Sequence, residues 1–249
     1  MSASPRILAL WSAPRSRSTA FLRMMKERGD FEILHEPFSQ VTDFGRYVVD
    51  GAEVTGEREL ISAIRRLAER TPVFFKDTTD FRYPHLLADS AFLREGVHTF
   101  IVREPAAAIA SHFALNANLS CEEVGFERLS EIYDAVVEST GGKPSVVIDS
   151  DELAGAPGPA VKAYCAAVGI PFVEHALSWQ AELLPDWRQT RRWHELTSRT
   201  TGFTRDGGTD YRDTVDNNSV LAGYLRHHLP YYRKLYDNRL AIGPGRCPD

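Results

Sequence analysis

Residues Ile7-Leu8-Ala9-Leu10-Trp11 run directly into Ser12-Ala13-Pro14-Arg15-Ser16-Arg17-Ser18-Thr19-Ala20-Phe21-Leu22. The first five are continuously apolar, as a strand covered on both faces must be. A proline ends the run, and Phe21, Leu22, Met24 and Met25 then give a helix over residues 18–28 one apolar face. A strand, a polar loop and a helix in this order point to an α/β architecture, and they build an anion cradle at the turn. Backbone N–H groups at the helix N-terminus point outward and the helix dipole favours negative charge. Ser16, Ser18 and Thr19 can donate, and Arg15 or Arg17 supplies fixed charge. A phosphate or sulfate ester fits such a cradle. A serine or threonine there also serves as a plain helix cap, but the cluster sits where a mononucleotide-binding first strand would place it.

Further short apolar segments at 31–34, 73–76, 98–103 and 145–149 read as strands, separated by helical patterns at 57–69, 106–115, 122–139 and 159–168. Alternation of this kind implies a central parallel β-sheet flanked by helices. Ser120 and Glu123 have capping-box spacing ahead of Val124, Leu129, Ile132 and Val136, which sets the start of the 122–139 helix. The last third, rich in Trp, Tyr, Arg and His, reads as helices and loops over the sheet edge, closed by a helix over 220–240 that Pro230 bends or divides. Residues 200–213, with Gly202, Gly207 and Gly208, read as a loop.

With 249 residues, 43% of them hydrophobic, the chain can bury a large core as a single domain over 1–249. A net charge of −5 leaves no basic field for nucleic acid or a membrane surface, so any anion site must be built locally. No apolar run is long enough to span a bilayer, and residues 1–6 enter the first strand without a signal-peptide core, so a cytoplasmic protein is expected. Cys121, Cys165 and Cys247 are scattered, which fits neither a disulfide framework nor a zinc motif, and His194, His227 and His228 lack metal-ligand spacing.

A second anchor lies in Phe100-Ile101-Val102-Arg103-Glu104-Pro105 and the helix that follows, where Ser111 comes eight residues after Arg103. Arg103 at a strand's carboxyl end and Ser111 two turns along the next helix can grip a phosphate from two sides. Together with the first loop, this spacing resembles the two cofactor signatures of sulfotransferases that use 3′-phosphoadenosine-5′-phosphosulfate (PAPS). The resemblance covers mainly residues 6–36 and 73–112. It implies a P-loop-NTPase-like sulfotransferase fold with a helical C-terminal third and a small-molecule or carbohydrate acceptor carrying a hydroxyl or amine. Arg15, Ser16, Ser18 and Thr19 would hold the 5′-phosphosulfate, and Arg103 and Ser111 the 3′-phosphate. Arg17 departs from the glycine usual at its position, and either points to solvent or adds a second cation.

Cytosolic members carry a Lys-Thr-His triplet at the end of the third strand. Here Lys76 stands at the lysine position, to assist the transferring group, but Thr78 replaces the histidine base. The base role then falls to Glu36, in Leu34-His35-Glu36-Pro37 at the end of the second strand, with His35 as the alternative. Gly202 and Phe203 lie where family members close a loop over the nucleotide. No metal is demanded, because a sulfonate carries less charge than a phosphoryl group and fixed cations can suffice. A P-loop kinase or NTPase is the runner-up, yet the loop has no GxxxxGK[ST] and no carboxylate among Asp77, Asp80 and Asp149 stands out for magnesium. A non-catalytic nucleotide-binding protein is the third reading.

Overall fold

The computed structural model describes residues 4–205 and 210–242. Its elements run β1 (Ile7–Ser12), α1 (Ser18–Arg28), β2 (Glu32–His35), α2 (Pro37–Phe44), the hairpin β3 (Tyr47–Val49) and β4 (Ala52–Val54), and α3 (Glu57–Arg70). There follow β5 (Val73–Thr78), α4 (Pro84–Ala88), α5 (Ser90–Glu95), β6 (Val97–Val102), α6 (Pro105–Phe113) and α7 (Phe126–Ser139). The chain continues through β7 (Val147–Asp149), α8 (Ser150–Gly155), α9 (Pro157–Val168), α10 (Arg191–Ser198) and α11 (Ser219–Asp237). The five-stranded sheet has the order β2-β5-β1-β6-β7 and is parallel throughout.

The apolar run of β1 explains the layering. Its side chains alternate between faces: Ile7, Ala9 and Trp11 enter one core with α3 and α7, while Leu8 and Leu10 enter another with α1 and α9. β5 and β6 divide the same way, with Phe75 and Phe100 on the first side and Phe74 and Ile101 on the second. Every residue of β1 is buried, which fits a strand with helices on both faces. The Trp11 indole donates to His98 Nδ1 at 3.0 Å, so that buried imidazole is neutral. From β1 the chain moves outward to β2, and from β6 it moves the opposite way to β7. Parallel sheets place ligands at the carboxyl ends of the strands near such a reversal.

Two expectations need correction. The 122–139 helix is interrupted: residues Glu122–Val124 form a 3-10 turn, and α7 starts only after Gly125, whose φ is 86°. The capping box does form, with Ser120 N–H donating to Glu123 Oε2 at 2.7 Å, but it caps the short turn. Gly125 has a steric reason to end it, since a Cβ there would lie 2.9 Å from both Pro14 Cδ and the Thr79 carbonyl. Pro230 neither divides α11 nor ends it; the helix runs through it from Ser219 to Asp237. In the 200–213 segment, Gly202 bridges to Ser178 and Thr201 accepts from the Trp179 N–H at 3.1 Å, so its first part is anchored. Gly207, Gly208 and Cys247 lie outside the described residues. No helix among the described residues is long and apolar enough to cross a membrane.

Candidate functional site

A single cleft at the carboxyl ends of the sheet strands is lined by Arg15, Ser16, Arg17, Ser18, Thr19, Glu36, Lys76, Arg103, Ser111, Gly202 and Phe203. The loop after β1 forms its floor. Arg15 (φ 65°) and Arg17 (φ 60°) both adopt the left-handed conformation. Left-handed residues alternating with others turn successive N–H groups toward one point and make an anion-binding concavity. The conformation at Arg17 also accounts for glycine being usual there, since a Cβ disfavours positive φ. The Arg17 side chain turns to the N-terminus of α8, donating to Ser150 Oγ at 3.1 Å and to Asp151 Oδ1 at 2.7 Å. Ser18 Oγ accepts from Ser12 Oγ at 2.8 Å, and Thr19 Oγ1 lies 3.3 Å from His194 Nδ1. Ser16 Oγ is fully buried and has no hydrogen-bond partner among the described residues, an orphan that a bound anion would satisfy.

The second anchor closes on the first. Glu104 caps α6 by accepting from the N–H groups of Ala106 and Ala107 at 3.0 and 2.9 Å, and Pro105 takes the first helical position. This start fixes Arg103 on one side and Ser111 two turns on. Arg103 Nη1 donates to the Arg15 carbonyl at 3.0 Å, and Arg15 Nε donates to Ser111 Oγ at 3.0 Å. Arg15 Nη1 also donates to the Trp193 carbonyl of α10 at 2.8 Å. Two motifs more than eighty residues apart in sequence thus share one guanidinium.

At the other end, β2 and β5 run side by side and bring Glu36 to Lys76. The Lys76 ammonium donates to Glu36 Oε1; both side chains are shielded, at 2% and 14% exposed. Glu36 has φ 50° and precedes Pro37 at the start of α2, and this left-handed turn folds its side chain back over the end of β5. The Lys76 charge does not pair with the adjacent Asp77, whose carboxylate instead caps α2 by accepting from the N–H groups of Phe38 and Ser39 at 2.6 and 3.1 Å. Burial pushes Glu36 upward, but the Lys76 ammonium beside it holds its carboxyl below the usual carboxylate range. Burial lowers His35 to about 4 and His194 to about 3, so both rings are neutral near pH 7. His35 sits behind Glu36, 2% exposed and off the cleft wall, with Nε2 3.6 Å from Glu36 Oε1.

The carboxylates weighed for magnesium are engaged otherwise. Asp77 caps α2, Asp149 caps α8 by accepting from Asp151 and Glu152 N–H at 2.9 and 2.7 Å, and Asp80 accepts from Thr78 Oγ1 at 2.8 Å. Of the tryptophans in the last third, Trp179 and Trp187 are core residues, and Trp193 lines the cleft. Sequence reasoning missed His194, noted there only for lacking metal-ligand spacing. α10 carries it over the first loop, where it stacks on Trp187 and meets His35 edge-on at 4.7 Å between ring centroids. Nothing in its sequence neighbourhood signals that position.

The sequence pattern of the family described as "Sulfotransferase domain" matches residues 5–238. Two Arabidopsis thaliana proteins, branched-chain-amino-acid aminotransferase-like proteins 1 and 2, are 27% and 30% identical over 96% and 94% of this chain. The match takes up 45% and 44% of those proteins, so the chain spans about half the length of the curated relatives it matches. Among solved structures, a mouse sulfotransferase complexed with PAP superposes with a TM-score of 0.49 at 14% identity, covering 92% of this chain and 87% of that one. A sulfotransferase from Alicyclobacillus acidocaldarius gives 0.45 at 17%, covering 80% and 98%. With the family pattern matched across nearly its whole length, the chain belongs to the sulfotransferase domain family.

Proposed function

We propose that this chain is a single, cytoplasmic sulfotransferase domain that transfers the sulfuryl group of PAPS to a hydroxyl or amine of a small-molecule or carbohydrate acceptor. The observation that carries the reading is the Arg15–Ser111 contact, which joins the two anion-binding motifs across one cleft. The residues present fit PAPS: the left-handed loop and the orphaned Ser16 hydroxyl suit the 5′-phosphosulfate, and Arg103 with Ser111 suits the 3′-phosphate.

The Lys76–Glu36 pair supports a coupled mechanism. While paired, Glu36 is a weak base. An arriving sulfonate competes for the Lys76 ammonium, and once the lysine turns to it, burial dominates at Glu36 and raises its proton affinity. Glu36 then takes the acceptor proton as the acceptor oxygen or nitrogen bonds to sulfur. The bond from sulfur to the bridging phosphate oxygen breaks, and its electrons leave with the nucleotide, steadied by Lys76 and the loop amides. His35, off the cleft wall, orients Glu36 and does not touch the acceptor.

The names of the Arabidopsis relatives describe proteins about twice as long, and we assign the sulfotransferase role to the segment shared with this chain. The test is calorimetric titration of adenosine 3′,5′-bisphosphate, AMP and ATP. Arg103→Ala is expected to weaken the bisphosphate by about 1.5–3 kcal/mol, the range for a hydrogen bond to a charged group, and to affect AMP far less. Equal losses for both nucleotides, or tighter magnesium-dependent binding of ATP, overturn the reading.

A further inference from the structure

Cys121, His227 and His228 are remote in sequence, yet one ligand atom from each lies within 4.8 Å of the others. Cys121 begins the 3-10 turn after α6, and the two histidines are on α11, which packs against α6 and α7. Cys121 Sγ is 3.7 Å from His228 Nε2. A zinc-bound thiolate and imidazole, at about 2.3 and 2.0–2.1 Å from a tetrahedral ion, hold their ligand atoms about 3.6 Å apart. His228 is fully buried, and its Nδ1 has no partner among the described residues. The His227 ring stands perpendicular to that of His228, and its Nε2 is 2.9 Å from Glu127 Oε2. Tyr231 donates to the other Glu127 oxygen at 3.0 Å, orienting the carboxylate as outer-shell partners of metal ligands do.

We propose that Cys121, His227 and His228 form a site for a zinc-class divalent ion that fastens the turn after α6 to α11, with Glu127 as the outer-shell partner of His227. One thiolate and two imidazoles, with a water in the fourth position, suit a tetrahedral, borderline-soft cation. The exposed His227 and Glu127 side chains give the ion a path from solvent. Binding replaces the Cys121 S–H bond with a metal–sulfur bond and releases the proton to solvent. His228 Nε2 now meets the Cys121 carbonyl at 2.7 Å. On ligation its proton passes to the unpartnered Nδ1, and no oxidation state changes. The site is distinct from the cleft, where His35, Glu36 and His194 also converge but the Lys76 ammonium already occupies the carboxylate.

The test is titration of the full-length chain with Co²⁺, read by absorption. A thiolate-to-cobalt charge-transfer band is expected at one equivalent, absent in Cys121→Ser and requiring at least about tenfold more metal in His227→Ala. Zn²⁺ should displace the cobalt and raise the thermal midpoint of the wild type but not of His227→Ala. Cobalt held by the cleft trio has no thiolate ligand, so it gives no such band and its binding persists in Cys121→Ser. Absence of the band, or a band that survives Cys121→Ser, overturns the proposal. Should Cys121→Ser fail to fold, an unchanged titration in His227→Ala, altered only at an exposed side chain, overturns it equally.

Discussion

The Glu36 carboxylate meets opposed demands. Burial drives it toward the neutral acid, while the Lys76 ammonium against it keeps it ionised. If the proposed proton transfer is its task, Glu36→Gln keeps size and most hydrogen bonding but cannot take a proton. Turnover should then drop about 10²–10⁴-fold, the usual worth of a general base, with adenosine 3′,5′-bisphosphate affinity unchanged. Radiolabelled sulfonate transfer alongside calorimetry checks this, and near wild-type transfer would reject Glu36 as the base. Arg17 poses a different residue-scale question, because its left-handed backbone penalises any side chain while its guanidinium gains Asp151. Asp151 is 52% exposed, so that ion pair contributes little. Arg17→Gly removes both effects together, and stability by urea denaturation should change by less than about 1 kcal/mol, with transfer retained. A loss well beyond that would show the Arg17–Asp151 pair to be structurally essential.

Elements meet at the cleft through a few capping groups, and Asp77 is the most heavily used. Its Oδ1 accepts from Ser39 N–H, Ser39 Oγ and Thr78 N–H, and its Oδ2 from Phe38 N–H. One carboxylate thereby ties the end of β5 to the start of α2, the turn that presents Glu36. In Asp77→Asn an amide nitrogen must face at least one of these N–H groups, whichever way it is flipped. The expected loss is about 1–3 kcal/mol in denaturant unfolding, and turnover should fall more than cofactor affinity because Glu36 shifts. Gly125 joins elements by close approach instead. Gly125→Ala would press a methyl group on Pro14 and the Thr79 carbonyl at positive φ, so about 2 kcal/mol or more should be lost. A neutral result in the same assay would mean that the anion loop yields freely. The strand and helix alternation behind these junctions was legible because burial on both faces forces apolar runs; the break before α7 was not, because its cause is Pro14, far away in sequence.

For the whole molecule, buried ionisable groups set the response to acid. Burial lowers His35, His98 and His112 to about 4 and His194 to about 3, against an ordinary value of 6.5. Each contributes stability that is fully present above 6.5 and lost as the pH falls through its folded value. Burial raises Asp77 to about 7 and Asp80 to about 6 from 3.8, and these act with the opposite sign, favouring folding most below 3.8. Four imidazoles outweigh two carboxyls between those limits. The thermal midpoint by scanning calorimetry should therefore be lower at about pH 4.5 than at about pH 7. A higher midpoint in acid would mean that the two carboxyls dominate.

The sequence by itself determined the parallel sheet, the loop after β1, the Arg103 and Ser111 spacing and the placing of Glu36 directly after β2; Lys76, expected at a strand end, lies two residues inside β5. All of these are local: an apolar run, a proline, a cap or a fixed number of helical turns specifies each without reference to distant residues. Only the tertiary structure decided which of these groups touch. Arg15 reaching Ser111, Lys76 choosing Glu36 over its neighbour Asp77, His194 lying on Thr19, and Cys121 meeting His227 and His228 all depend on strand order and helix docking. Those contacts join segments whose separation along the chain carries no periodic signal, and it is the shared burial of the two sheet faces that brings them together.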